Sequence, residues 1–390
     1  MKKPIYSIKN LFLCSLLSSL TLGSSFAQTD SKKNAKKADL STKEKVVATK
    51  DLVVAKIKVD GNGPKPDWAP QIKDEMLAVI EKLASYNSPD LTTLPAKEAR
   101  KQPSPTTAVL DLIKENNVVL PESKVDTSGK EIPVKDGNIH LRIYTPKVGA
   151  GPFPVIVYYH GGGWVIANLD TYDASAKTIS EQTGSVVVSV AYRQAPEFKF
   201  PVAHNDSYAA YEWVLKNAAS IKGDSKNVAL VGESAGGNLA ASVSLMAKER
   251  GVQMPIHQVL VYPIASGDMN SESYTKYANA KPLNKPMMKW FFDNYLNNPS
   301  ELKSKYINLV ATDLKGMPST TIITAQLDPL QSEGKLLAEK FNAAGVRTMY
   351  KNYDGVTHEF FGMGAILPSA MMAEMLASEQ LKESFLKAKK

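Results

Sequence analysis

A single cysteine, Cys14, stands in this chain of 390 residues. A disulfide framework and a thiolate metal site are therefore excluded. Long apolar runs are missing as well. The run from Leu11 to Leu22 covers about twelve residues, too few for a hydrocarbon core of ~30 Å, and no later stretch approaches ~20 apolar residues. No transmembrane segment is expected in the mature protein. A distributed positive face is lacking too, despite the formal charge of +8: residues 1–27 carry +3, residues 28–50 carry +4, and +1 remains for the rest. A near-neutral body with a basic front, and no zinc-finger or homeodomain pattern, argues against nucleic acid as a partner. Neither G-x-G-x-x-G nor G-x-x-x-x-G-K-[ST] occurs at a nucleotide-binding spacing, and no repeat of 20 to 50 residues is found.

The front of the chain reads as a signal peptide. Lys2, Lys3 and Lys9 precede the apolar run, and the small and polar residues that follow it end in Ser25-Phe26-Ala27, which places cleavage after Ala27. Cys14 follows Phe12-Leu13 rather than the small residues of a lipoprotein site and leaves with this segment, so no cysteine nucleophile is expected in the mature protein. Export to a periplasm or the medium is the expectation. Residues 28–60, rich in Lys, Ala, Ser and Thr up to Lys50, read as a flexible linker. Residues 61–390 are expected to form the main folded domain.

Within that domain, Ile72, Met76, Val79, Ile80 and Leu83 recur at helical spacing, and Ala108 to Ile113 form a second short apolar stretch, both in a region broken by many prolines. From about Val134 the pattern changes to short β-rich runs: His140–Thr145, Pro154–Tyr159, Val186–Ala191, Val228–Val231, Gln258–Tyr262, Thr320–Ala325 and Arg347–Tyr353. Helical stretches near Tyr172–Gln182, Ala203–Ala219, Ala235–Arg250, Glu333–Ala344 and Met371–Ala388 alternate with them. Such alternation predicts a largely parallel sheet with helices on both faces. Residues 269–309 interrupt it with an aromatic helical stretch, Met287–Leu296.

The strongest chemical signal is Gly232-Glu233-Ser234-Ala235-Gly236 between the apolar run Val228–Val231 and a small-residue helix. A serine nucleophile needs a sharp strand-to-helix turn, and the two glycines permit the close backbone approach that this turn demands. The second signal is His160-Gly161-Gly162-Gly163-Trp164, directly after a strand candidate. Its backbone N–H groups suit an oxygen that turns negative, so Gly162 and Gly163, with Ala235 after the nucleophile, are the oxyanion-hole candidates. The order serine, acid, histidine then narrows the five histidines: Asp328 follows a late strand candidate, and only His358 lies downstream of it. Asp354, four residues before His358, is the rival acid. Ser234, His358 and Asp328 are thus the expected nucleophile, base and orienting acid. No metal or organic cofactor is required.

These motifs, with Tyr192-Arg193-Gln194-Ala195-Pro196-Glu197 and Asp328-Pro329-Leu330, resemble the bacterial hormone-sensitive-lipase-like carboxylesterases from about Pro66 to Leu386. The resemblance implies an α/β-hydrolase fold: a mostly parallel, doubly wound sheet of about eight strands under a helical cap, here roughly residues 62–120 and 267–305. It also implies short acyl esters as substrates and supporting rather than catalytic roles for His160 and Arg193. An edge-strand or helix-mediated homodimer is compatible with this plan. The chain departs from the family in having Gln331 and Ser332 where arginine and aspartate are usual, and Glu359 where glycine follows the histidine. If Glu359 faces His358, it favours the charged imidazole; otherwise it is a solvated loop charge. An exported serine carboxylesterase is the principal expectation, with a serine peptidase or amidase and a ligand-binding pseudoenzyme as the alternatives.

Overall fold

The computed structural model describes residues 59–388; the expected signal peptide and almost all of the expected linker lie outside the described residues. The folded part reaches back at least to Val59, which is buried, and the Gly61 N–H donates to the Asp74 carbonyl at 2.8 Å.

Eight strands form one sheet: β1 Val125–Val134, β2 Gly137–Pro146, β3 Phe153–Tyr159, β4 Val186–Ala191, β5 Gly223–Glu233, β6 His257–Val261, β7 Ser319–Leu327 and β8 Thr348–Thr357. Their order is β1-β2-β4-β3-β5-β6-β7-β8. The pairs from β4 through β3 to β8 are parallel, while β1–β2 and β2–β4 are antiparallel. The central strands are apolar runs because both of their faces are covered. In β3, Val155, Val157 and Tyr159 join one buried cluster while Ile156 and Tyr158 join the other, as the two-residue period of a strand requires.

The helices, numbered in chain order, are α1 Asp74–Ser85, α2 Ala96–Ala99, α3 Pro105–Glu115, α4 Asp173–Thr183, α5 Val202–Asn217, α6 Ala235–Glu249, α7 Glu272–Lys276, α8 Lys285–Tyr295, α9 Gln331–Ala343 and α10 Pro368–Ala388. Buried residues of α5, α6 and α9 belong to the first cluster, and those of α4 and α10 to the second, so the sheet is wound on both sides. Each expected strand has its counterpart here. The expectation that strands begin near Val134 is corrected, because β1 starts at Val125. Along β1 only Val125 and Ile132 are buried, since it is a polar edge strand whose sequence has no apolar alternation to detect. The turn Lys135-Asp136 joins it to β2, with Asp136 at φ 60°.

The segments 62–120 and 267–305 approach loops at the carboxyl end of the sheet. Arg100, after α2, donates to the Val165 carbonyl at 2.7 Å and the Ala195 carbonyl at 2.6 Å, and pairs with Glu197. Phe291 of α8 lies against Gly163 in the loop after β3. α3 starts with a capping box between Ser104 and Thr107, and the Thr106 hydroxyl donates to the Thr171 carbonyl at 2.8 Å. No helix among the described residues is long and apolar enough to cross a membrane.

Candidate active site

Ser234 sits at the junction of β5 and α6 with φ 56° and ψ −120°, a conformation that L residues rarely adopt. The junction can be this tight because its neighbours lack side chains. A Cβ on Gly232 would stand 2.0 Å from the Gly236 carbonyl oxygen, and one on Gly236 would stand 1.9 Å from the Tyr159 carbonyl oxygen. The Ser234 N–H donates to the Val261 carbonyl at 2.9 Å, which pins the turn to the neighbouring strand β6. Strain of this kind is retained where surrounding structure over-determines it, as at functional sites.

The other two expected residues converge on this serine. His358 follows β8 and Asp328 follows β7; both are buried. The His358 Nε2 is 2.9 Å from the Ser234 Oγ, and its Nδ1 is 2.7 Å from the Asp328 Oδ2. An ionised carboxylate only accepts, so Nδ1 carries the proton and Nε2 is left to accept from the serine hydroxyl. Asp328 is itself oriented, its Oδ1 accepting the Leu330 N–H at 2.9 Å. The rival acid Asp354 is exposed and bonded to Asn352.

The remaining histidines have other partners. His140 pairs with Glu131 near the sheet edge. His160 bonds the Gly161 carbonyl at 2.8 Å and stacks on Tyr192, His204 lies between Tyr295 and Asn238, and His257 lies between Ser319 and Thr321. Burial lowers His160 and His204 to about 4 and His257 to about 3, which keeps all three neutral. For His358, burial also opposes charge, but attraction and the hydrogen bond from Asp328, followed by Glu359 and Glu233, move it above the ordinary histidine value.

Gly162 and Gly163 have φ 94° and 58°, the left-handed side of backbone space that glycine enters without steric cost. Among the described residues their N–H groups donate to no protein acceptor. Ala235 is the first residue of α6, where backbone N–H groups lack intrahelical partners. Arg193 braces the scaffold, binding Asp206 and the carbonyls of Lys135 and Asp136. Gln331 and Ser332 are also built in: Gln331 donates to the Tyr350 hydroxyl at 3.3 Å, and Ser332 exchanges bonds of 3.1 Å with Ser273 of α7.

Sequence reasoning placed Glu359 next to His358 but did not identify the layer of tyrosines, with Glu233, that surrounds it. The Tyr158 and Tyr262 hydroxyls both donate to the Glu233 carboxyl, which burial lifts to about 7. The Tyr262 ring lies 4.4 Å from that of His358, and the Tyr172 hydroxyl lies 2.7 Å from each oxygen of Glu359. Glu233 was visible inside its motif, but its partners come from β3 and the segment after β6, which no local pattern connects.

A family model described as the α/β-hydrolase fold matches residues 156–362. The carboxylesterase NlhH of Mycobacterium tuberculosis is 37% identical over 242 residues, covering 60% of this chain and 75% of that protein. The ethyl acetate hydrolase of Pseudomonas putida is 28% identical over 295 residues, covering 74% and 91%. Among solved structures, a thermostable esterase from Pseudomonas putida aligns with a TM-score of 0.75 at 31% identity, covering 81% of this chain and 98% of that one.

Proposed function

Since the chain belongs to the hormone-sensitive-lipase-like carboxylesterases of the α/β-hydrolase fold, serine hydrolases of carboxylic ester bonds, we propose that it cleaves short-chain or small-molecule esters with Ser234, His358 and Asp328 as the catalytic triad. The observation that carries this reading is the unbroken chain of hydrogen bonds from the Ser234 Oγ through the imidazole to the Asp328 carboxylate.

The reaction starts with the Ser234 Oγ attacking the acyl carbonyl carbon while its proton passes to the His358 Nε2. Asp328 stabilises the resulting imidazolium and holds its tautomer without taking the proton. The N–H groups of Gly162, Gly163 and Ala235 receive the oxyanion; a single such donor contributes about 10²–10³ in kcat. As the tetrahedral intermediate collapses, His358 returns the proton to the leaving alkoxide, and an alcohol departs from the acyl-enzyme. Water then attacks that acyl group, with His358 again as base, which releases the acid and restores Ser234.

Two further observations support small substrates: the relative whose name specifies ethyl acetate, and the Phe291 ring packed against the Gly163 backbone. Residues 62–120 and 267–305 act as the cap that bounds this space. The signal-peptide pattern in residues 1–27 supports an exported enzyme.

The test is initial rates on p-nitrophenyl esters from acetyl to palmitoyl, for the protein from Gln28 onward and its Ser234→Ala variant. Turnover of the short esters, reduced by several orders of magnitude in the variant, is expected. Wild-type rates in the variant would refute Ser234 as the nucleophile, and a preference for the palmitoyl ester would refute the small-substrate reading.

A further inference from the structure

Glu359 directly follows the histidine of the triad and has φ 69°. Glycine enters this region freely, whereas a side-chain-bearing residue is kept there only where the surrounding structure over-determines it. The backbone nevertheless carries a carboxylate here, and its surroundings show where that group is held. The Glu359 Oε1 stands 3.8 Å from the His358 Nε2, on the side of the ring opposite Asp328. That separation is inside the range for an electrostatic pair but beyond a hydrogen bond. Nε2 keeps its own contact with the Ser234 Oγ at 2.9 Å.

The Tyr172 hydroxyl explains the separation. It lies 2.7 Å from both carboxylate oxygens, so its one proton is shared across the group and the carboxylate is drawn away from the imidazole. Tyr172 is buried, and its oxygen lies so near Gly161 that a Cβ there would be 2.3 Å from it. The tether therefore cannot swing toward the glycine loop. Among the described residues Glu359 pairs with no lysine or arginine; His358 is its only ion-pair partner.

We infer that Glu359 is a positioning carboxylate for the His358 imidazole, and that Tyr172 tethers it at a distance from which it attracts the charged ring without displacing Ser234 from Nε2. This rests on the triad reading above. In the resting enzyme the Glu359 charge favours protonated His358, as do Asp328 on Nδ1 and Glu233 behind the elbow. The Tyr262 ring packs against the imidazole at a tilt of 48°, Tyr158 and Tyr262 hold Glu233, and His160 near Tyr172 is neutral. Burial and Asp328 oppose ionisation of Glu359, while His358 and the Tyr172 hydroxyl favour it. Because only neutral His358 can accept the serine proton, the acid limb of kcat/KM reports this balance.

The experiment measures kcat/KM against pH on p-nitrophenyl acetate for the wild type, Glu359→Gln, Glu359→Gly, Tyr172→Phe, the Tyr172→Phe/Glu359→Gln pair and Ser234→Ala. Removing the carboxylate should move the acid limb to lower pH by about one unit, in both the glutamine and the glycine variants. Freeing it in Tyr172→Phe should let it close on Nε2, moving the limb to higher pH and lowering kcat/KM by about tenfold. The double variant should recover to within roughly threefold of Glu359→Gln, because an untethered glutamine has no charge with which to capture the imidazolium. An acid limb unmoved in both Glu359 variants overturns the inference while leaving the triad intact. A Tyr172→Phe loss that persists in the double variant overturns the tether. Activity retained by Ser234→Ala would instead defeat the triad reading on which the inference rests.

Discussion

Replacing Gly163 with alanine tests how the loop proposed to receive the oxyanion is held. The new Cβ would stand 2.2 Å from the Phe291 Cδ1 and Cγ, where ordinary contact begins at 3.4 Å, so ring and loop must separate by more than 1 Å. Phe291 has little freedom to retreat: it is 3% exposed and its ring lies 5.4 Å from that of Trp290. Overpacking of this sort costs about 1–3 kcal/mol, and an alanine at φ 58° adds on the order of 1 kcal/mol, so a loss of about 2–4 kcal/mol is expected. If the loop gives way rather than the ring, the Gly163 N–H moves with it, and kcat should fall by about 10²–10³. Urea unfolding, with linear extrapolation to water, measures the first effect, and rates on p-nitrophenyl acetate measure the second. Phe291→Ala removes the obstruction at the cost of a cavity. The pair of substitutions should therefore be less destabilising than the sum of the singles by about 1–3 kcal/mol. Additive effects within ~0.5 kcal/mol, together with an unchanged kcat, would refute both the steric argument and the place of Gly163 in the oxyanion hole.

Asp328→Asn should lower kcat by about 10⁴ on the same ester while leaving the unfolding midpoint nearly unchanged, because the amide can donate to Nδ1 and stabilise the wrong tautomer. Gly236→Ala should yield no soluble folded protein by size exclusion and circular dichroism, since its Cβ would lie 1.9 Å from the Tyr159 carbonyl oxygen, a backbone atom with no rotamer to yield. For Glu233, burial holds the folded carboxyl near 7 against an ordinary value of 4.5, so the protonated form contributes stability below about 4.5 that is lost as pH rises through about 7. The loss is about 3 kcal/mol at most. Glu233→Gln should flatten this part of the stability–pH curve in urea titrations, and an identical slope in the variant would contradict the assignment.

Much of this molecule is legible along the chain, and the legible parts share a physical cause. Strands buried on both faces must be apolar throughout, so β3, β4, β5 and β6 stand out as runs of Val, Ile, Leu and Tyr. The serine turn needs glycines at Gly232 and Gly236 because backbone carbonyls pass within about 2 Å of where a Cβ would be. The acid and the histidine can be ordered because each follows one of the last two strands. All of these are constraints that a short stretch of chain satisfies by itself.

What the tertiary structure decided are relations between residues far apart in sequence. β1 escapes a periodicity search because an edge strand with six successive exposed residues has nothing to hide from water. The choice of Asp328 over Asp354 could be argued from chain order, but only packing turns one carboxylate inward to Nδ1 and leaves the other in solvent. Glu359 is the clearest case. Its place beside the histidine was plain in the sequence, yet whether it was a loop charge or a partner of the imidazole depended on Tyr172, 187 positions earlier. Local chemistry selects which residues are able to act, and long-range packing sets the distances that decide whether they do.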